Sequence, residues 1–131
     1  MIVLEQLKVL VNLAHADGNL GMDERQFIKN IGKAHGYPES SVETLFYEEH
    51  EIVIPAELTI DQRAGYALAL TQLMLLDNRM FLKEIEYCSD MVEKLGFEKQ
   101  FIYRLVDLVG EKKNDAKLIE MVKEQAIKFL Q

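Results

Sequence analysis

The sequence predicts an all-α fold, a compact bundle of about seven helices. Apolar residues recur at helical spacing through most of the 131 positions. The stretch from Leu13 to Gly36 also recurs without a gap as Leu73 to Gly96, a shift of 60 positions. Each copy has the pattern of a helix, a tight acidic turn and a second helix that folds back. We therefore expect an internal duplication of a three-helix unit within a single domain.

Composition narrows the class of protein. A chain of 131 residues normally forms one domain and buries enough surface to fold without disulfides or a structural metal. The formal net charge is −7, and the basic residues are spread along the chain without a cluster. This charge argues against nucleic acid as a partner. The single cysteine fits a reducing compartment, and no apolar run reaches the roughly 18 residues that span a bilayer. We expect a cytoplasmic protein without membrane insertion that binds other proteins, and predict no particular oligomeric state.

The first repeat covers residues 1–50. A wide apolar stripe predicts a helix over 2–16, and Gly18 suits the left-handed backbone that closes a helix. Its counterpart in the second copy is Asn78, the next-best residue for that conformation. A second helix should run over 22–35, and a third should begin at Pro38 and reach about Glu49.

A connector over 51–58 separates the repeats, and we expect it to be a loop. The second repeat covers residues 59–110. Thr59 and Gln62 have capping-box spacing and should open a helix over 60–76, which is apolar nearly all round and therefore the most buried. Helices should follow over 82–95 and 98–109. Asn114 should cap a closing helix within residues 114–131, placed over the seam between the repeats.

The first acidic turn is the candidate functional site. It carries Asp17, Asn19, Asp23 and Glu24, whose oxygen atoms suit a divalent cation such as Ca²⁺ or Mg²⁺. A bound cation would relieve the repulsion between carboxylates. The second turn repeats the pattern more weakly. Lys83 there replaces Asp23, and the remaining candidate ligands are Asp77 and Glu84.

Two alternatives account for the same acidic residues. In the first, the turns are purely structural, with Asp17 capping the turn and Glu24 stabilising the positive end of a helix, and the chain only contacts other proteins. In the second, Asp17, Asp23 and Glu24 hold a cation that activates water in a metal-dependent hydrolase. The sequence offers no evident general base or phosphate-binding loop, so we predict no catalytic residue. An EF-hand is excluded, because Met22 stands where its loop requires glycine.

The histidines and the cysteine do not suggest a reactive site. His15 and His35 align with Leu75 and Leu95, so we expect both to be partly buried. They lie about 16 Å apart along the fold, too far to share a metal. Cys88 aligns with an isoleucine and should be a core residue.

The motif A-x-A-D-G-x-L-x-x-x-E over residues 14–24 resembles the signature of the TerB-like family, which includes tellurite-resistance TerB and the N-terminal domain of DjlA. The second copy, D-x-x-M-x-x-x-E over residues 77–84, is similar to the second motif of that family, although no glycine follows its aspartate. The resemblance implies an all-helical domain with acidic residues suspected of binding metal, in a stress-related or membrane-linked context. The resemblance implies that Asp17 and Glu24 are the acidic pair of the family, and that Asp77 and Glu84 are the corresponding residues of the second copy. We therefore expect a non-enzymatic binding or scaffold domain with a possible cation site.

Overall fold

The computed structural model describes residues 2–16, 21–76 and 82–131. Within these ranges the regular elements are all α-helices, joined by short connections and by a longer irregular segment over 46–59. One isolated bridge pairs Phe97 with Leu130. The prediction of an all-α fold with seven helices is confirmed for this part of the chain. The helices are α1 Ile2–His15, α2 Met22–Ala34, α3 Glu39–Leu45, α4 Ile60–Met74, α5 Leu82–Lys94, α6 Phe101–Gly110 and α7 Asp115–Lys128.

The predicted helix starts are built by their own side chains. The hydroxyl oxygen of Thr59 accepts a hydrogen bond from the backbone N–H of Gln62 at 3.1 Å, and the Gln62 side chain accepts one from the Thr59 backbone at 2.9 Å. At the start of α7, the side-chain oxygen of Asn114 accepts from the Lys117 backbone at 2.9 Å. These bonds satisfy N–H groups that have no partner inside the helix.

The ends of α2 and α5 have the same geometry. Gly36 and Gly96, which follow these helices 60 positions apart, have φ values of 87° and 98°. The next residue in each case, Tyr37 or Phe97, donates its backbone N–H back into the helix at 2.9 or 3.1 Å. Glycine adopts this left-handed backbone without steric penalty, so it can terminate a helix there. The bounds of α2 and α5 are also shifted by the same 60 positions.

The third and sixth helices depart most from their predicted bounds, because tertiary hydrogen bonds replace helical ones there. The third helix was expected to reach about residue 49, but α3 ends at Leu45 and the following segment is bonded to α1 instead. The sixth was expected to begin at 98, but α6 begins at Phe101. The backbone N–H of Glu98 donates to the carbonyl of Phe129 at 2.7 Å, which ties this segment to the end of α7.

Helix α4 forms the centre of the core, as its apolar composition predicted. It packs against α1, α5, α6 and α7, and most of its residues between Ala64 and Met74 are buried. The same packing pattern occurs on both sides of the α1–α4 contact. Helix α1 packs on α2 and α3, and α4 packs on α5 and α6; α2 also contacts α3 as α5 contacts α6.

Helix α7 was expected over the seam between the repeats, but it packs mainly against α4 and α6. Its N-terminal part approaches the first half, where Leu118 and Ile119 lie around a cavity with Phe27 of α2. None of the helices described combines the length and the apolarity needed to cross a bilayer.

Candidate functional site

The structure describes three of the predicted cation ligands. Asp23 is exposed in the first turn of α2, Glu24 beside it is partly buried, and Glu84 of α5 is buried. Within the described ranges, no three histidine, cysteine or acidic side chains converge as a metal site requires. The Ca²⁺ or Mg²⁺ site therefore stays a prediction. Its other ligands lie outside the described residues: Asp17, Asn19 and Asp77.

Glu24 has a structural role at the start of α2. Its Oε1 accepts a hydrogen bond from the backbone N–H of Gly21, the residue before the helix, at 3.0 Å. The carboxylate also lies in the first helical turn, where the positive end of the helix favours a negative charge. The position of Glu24 fits the structural alternative, which assigns it to the positive end of the helix, but the bond to Gly21 was not predicted.

Glu84, the counterpart of Glu24, lies close to the cysteine of the same helix. Glu84 is only 4% exposed, and Cys88, one turn further along α5, is fully buried. Burial, and then the charge of Glu84, raise the pKa of the Cys88 thiol above its ordinary value. The thiol is therefore neutral near pH 7 and a poor nucleophile. The prediction that Cys88 is a core residue is confirmed.

Two histidines fasten the segment after α3 to the rest of the fold. The ring Nε2 of His15 lies 2.8 Å from the carbonyl oxygen of Phe46, and the ring Nε2 of His50 lies 2.8 Å from that of Leu45. A carbonyl oxygen only accepts, so each Nε2 carries a proton and donates it. The Asn12 side chain exchanges two further bonds with the His50 backbone, at 2.6 and 2.8 Å. We call Asn12, His15, Phe46 and His50 the α3 latch.

Neighbouring aromatic side chains pack around the latch. The Tyr87 hydroxyl of α5 donates to the carbonyl of Val9 in α1 at 2.9 Å. Burial, followed by the nearby Cys88 and Glu49, raises the pKa of Tyr87 above its ordinary value. The Arg25 guanidinium lies over the Phe46 ring, 5.7 Å from its centre.

His35, by contrast, is exposed, and the expectation that it is partly buried is wrong. Its counterpart Leu95 is buried, at the end of α5. The last residues of the chain cover that end, where the Gln131 backbone donates to the carbonyl of Gly96 at 3.0 Å.

A groove bordered by α2, α4, α6 and α7 is a concave feature of the described part of the chain. It consists of two adjoining cavities of about 580 and 380 Å³, which share Phe27 and Gln72. It extends from Leu68 in α4 to Leu76, two residues past the end of that helix, and the helical part from Leu68 to Met74 spans about 9 Å at 1.5 Å per residue. We call it the apolar groove. Its lining residues are mainly apolar: Phe27, Leu68, Gln72, Leu75, Leu76, Val106, Val109, Gly110, Lys112, Asp115, Leu118 and Ile119.

The four residues of the α3 latch and four residues that line the apolar groove occupy matching positions of the two sequence repeats. In the first repeat, Asn12, His15 and His50 have polar side chains that hydrogen-bond to the chain itself, and Phe46 accepts one of these bonds through its backbone carbonyl. In the second repeat most of them are apolar and line an open surface. Sequence reasoning missed the groove, because its lining comes from four helices. The matching pairs, at a shift of 60, are Asn12 with Gln72, His15 with Leu75, Phe46 with Val106 and His50 with Gly110.

No family model, curated protein or solved structure matches the chain. The resemblance to the TerB-like family therefore depends on the two sequence motifs.

Proposed function

We propose that the chain is a non-enzymatic binding domain of TerB-like type and that its apolar groove holds the apolar side chains of a protein partner. The apolar groove is the observation that carries this proposal. Leu76 and Ile119, which line it, are 37% and 44% exposed. Contiguous exposed apolar surface is typical of protein interaction sites, because covering it removes the unfavourable contact with water.

Two structural observations support the TerB-like assignment. The bounds of α2 and α5 and the left-handed glycines that follow them agree at the 60-residue shift of the sequence repeat. The packing of α1 on α2 and α3 also parallels that of α4 on α5 and α6. Both fit a three-helix unit that was copied in tandem, as the two motifs imply.

The chemistry of the groove favours binding over catalysis. Its charged and amide side chains come from Gln72, Lys112 and Asp115. Among the described lining residues these three do not make a nucleophile with an adjacent base, which covalent catalysis needs. The hydrolase alternative would instead use the first acidic turn, where Glu24 already accepts a backbone hydrogen bond. A Ca²⁺ or Mg²⁺ site at that turn stays a separate prediction.

One pair of variants in α7 tests the groove. Ile119 lines it, whereas Ile127, two turns further along the same helix and 64% exposed, does not. We expect Ile119→Glu to place a charge where partner side chains would be buried, while both variants keep the fold, since each site is already exposed.

The readout is co-purification from the cells of origin with wild type, Ile119→Glu and Ile127→Glu, quantified by mass spectrometry. The proposal predicts partners that wild type and Ile127→Glu retain and that Ile119→Glu loses by at least about tenfold. Thermal unfolding of all three proteins shows whether the fold is unchanged. An identical set of partners for the three, or none with wild type, would overturn the proposal.

A further inference from the structure

We infer that the occupant of the apolar groove is an α-helix of the partner protein, bound with its N-terminal end beside Asp115 and its C-terminal end beside Lys112. The inference rests on the proposed function, because it takes a protein partner in the groove as given. It adds the secondary structure, the direction and the charge pattern of the bound segment.

Hydrogen bonding favours a helical occupant over an extended one. The groove walls include α4, α6 and α7, whose backbone groups are largely bonded within their own helices. An extended segment in the groove would lose water from its backbone N–H and C=O groups without gaining a sheet edge to pair with. A helix satisfies these groups internally and can bury one apolar face.

The length of the groove fits such a face. The helical part of the groove wall, about 9 Å from Leu68 to Met74, corresponds to nearly two helical turns, and the groove continues past it to Leu76. Apolar side chains at positions i, i+4 and i+7 of a bound helix span nearly the same distance. The two adjoining cavities, which meet at Phe27 and Gln72, would then receive successive side chains from one helix face.

Charge complementarity sets the direction. Lys112 lines the cavity that contains Leu75 and Val109, and Asp115 lines the cavity that contains Leu118. A helix carries partial positive charge at its N-terminus and partial negative charge at its C-terminus. The N-terminal end is therefore favoured beside the Asp115 carboxylate and the C-terminal end beside the Lys112 ammonium. A carboxylate in the last turn of the bound helix would strengthen the second contact.

The backbone of Lys112 independently points to a use for its side chain. Lys112 has a φ of 55°, in the left-handed region that a side chain disfavours, and it follows the end of α6. Gly36 and Gly96 take up left-handed backbone after α2 and α5, and glycine would fit here too. A strained residue whose side chain lines a groove is typical of a functional position.

The test uses a displayed library of helical peptides of about ten residues, roughly 15 Å long and held helical by a side-chain crosslink, with randomised positions on one apolar face and in both end turns. Wild type is the target, and Ile119→Glu is the counter-target that removes peptides bound elsewhere. Binding of the selected peptides is then measured by fluorescence anisotropy with wild type, Lys112→Gly, Lys112→Arg and Ile127→Glu. Lys112→Gly suits the local backbone, so a loss of binding cannot be ascribed to misfolding.

We expect selected helices with acidic residues in the last turn, which bind Ile119→Glu at least about tenfold more weakly than wild type. Lys112→Gly should weaken binding about three- to tenfold, mainly by lowering a salt-dependent association rate, whereas Lys112→Arg and Ile127→Glu should retain binding. A peptide with its end charges exchanged should bind more weakly than its parent.

The other outcomes separate this inference from the proposed function. Peptides that need Ile119 but bind Lys112→Gly as well as wild type, with no charge preference, would refute the assigned direction and leave the groove as a binding site. Peptides that bind without helical circular dichroism, or a library that yields none selective for wild type, would refute a helical occupant. The loss of natural partners by Ile119→Glu then decides the proposed function separately.

Discussion

The packing of α2 on α3 leads to a prediction at Gly32, whose backbone lies against the core. A Cβ atom added there would be 2.7 Å from Cγ2 of Val42 and 3.5 Å from Cβ of Tyr37. Carbon atoms in contact normally lie about 3.5–4.0 Å apart. Val42 is fully buried, so it has little room to withdraw. We therefore expect Gly32→Ala to force two helices apart locally.

Two opposing effects set the magnitude. Overpacking of a core position costs about 1–3 kcal/mol. Alanine in a helix interior is favoured over glycine by about 1 kcal/mol. Gly32→Ala should therefore lower the free energy of unfolding by about 1 kcal/mol net, within a range of about 0–2, which corresponds to a fall of about 4 °C in the melting temperature.

Gly65 in α4 provides the matched control. It is exposed, and an added Cβ would meet no atom within 4 Å. In Gly65→Ala, only the higher helix propensity of alanine should act, and it should raise the free energy of unfolding by about 0.5–1 kcal/mol.

The assay is urea unfolding followed by circular dichroism, for both single variants and in a Val42→Ala background. Removing the clashing methyl group should change the sign, so that Gly32→Ala becomes neutral or stabilising when Val42 is already alanine. The reasoning is wrong if Gly32→Ala stabilises the unmodified chain as much as Gly65→Ala does.

Three further predictions concern charge, the thiol and the cation. The Lys29 ammonium donates a hydrogen bond to the Glu43 carboxylate at 2.7 Å, and this bond lowers the pKa of Glu43. The stability that this bond adds is present above the ordinary carboxyl pKa and is lost as the pH falls through the lowered pKa. Glu43→Gln should thus reduce the melting temperature at about pH 7 but not at a pH below the lowered pKa of Glu43, where its carboxyl group is protonated, and an equal reduction under both conditions would contradict this. Burial raises the pKa of Cys88 and shields its thiol from solvent, so a thiol reagent should modify Cys88 only as fast as the surrounding chain unfolds. Immediate modification of the folded protein would refute this prediction. For the cation, Ca²⁺ or Mg²⁺ at a hundred times its dissociation constant should raise the free energy of unfolding of wild type by about 2.7 kcal/mol. The double variant Asp17→Asn with Glu24→Gln should abolish this gain, and the glutamine that replaces Glu24 keeps an oxygen for the capping bond. No gain with either ion would refute the cation prediction.

Features set by neighbouring residues could be predicted from the sequence. The cap at Asn114 and the capping box at Thr59 depend on residues three positions apart, and both are confirmed. The central position of α4 followed from its nearly continuous apolar sequence. In each case the physical cause lies within one or two helical turns of the chain.

Features that depend on residues far apart in the sequence could not be predicted from it. Helix α3 ends early, and the chain beyond it bonds to α1 through Asn12 and His50, which are 38 positions apart in the sequence. The apolar groove combines Phe27 of α2 with Leu76, which follows α4, and Ile119 of α7. Helical periodicity identifies the apolar face of each helix, but it does not show which faces meet and which are left uncovered.

The most direct test of the groove as a binding site is a methyl NMR titration of the chain with one of the selected helical peptides. The account predicts shifts at the methyl groups of Leu75, Val106 and Ile119, with intermolecular Overhauser contacts to the apolar face of the peptide. The methyl groups of Val53 and Ile127, exposed outside the groove, should stay unchanged. Shifts centred on Val53 or Ile127, with the groove methyl groups unaffected, would contradict it.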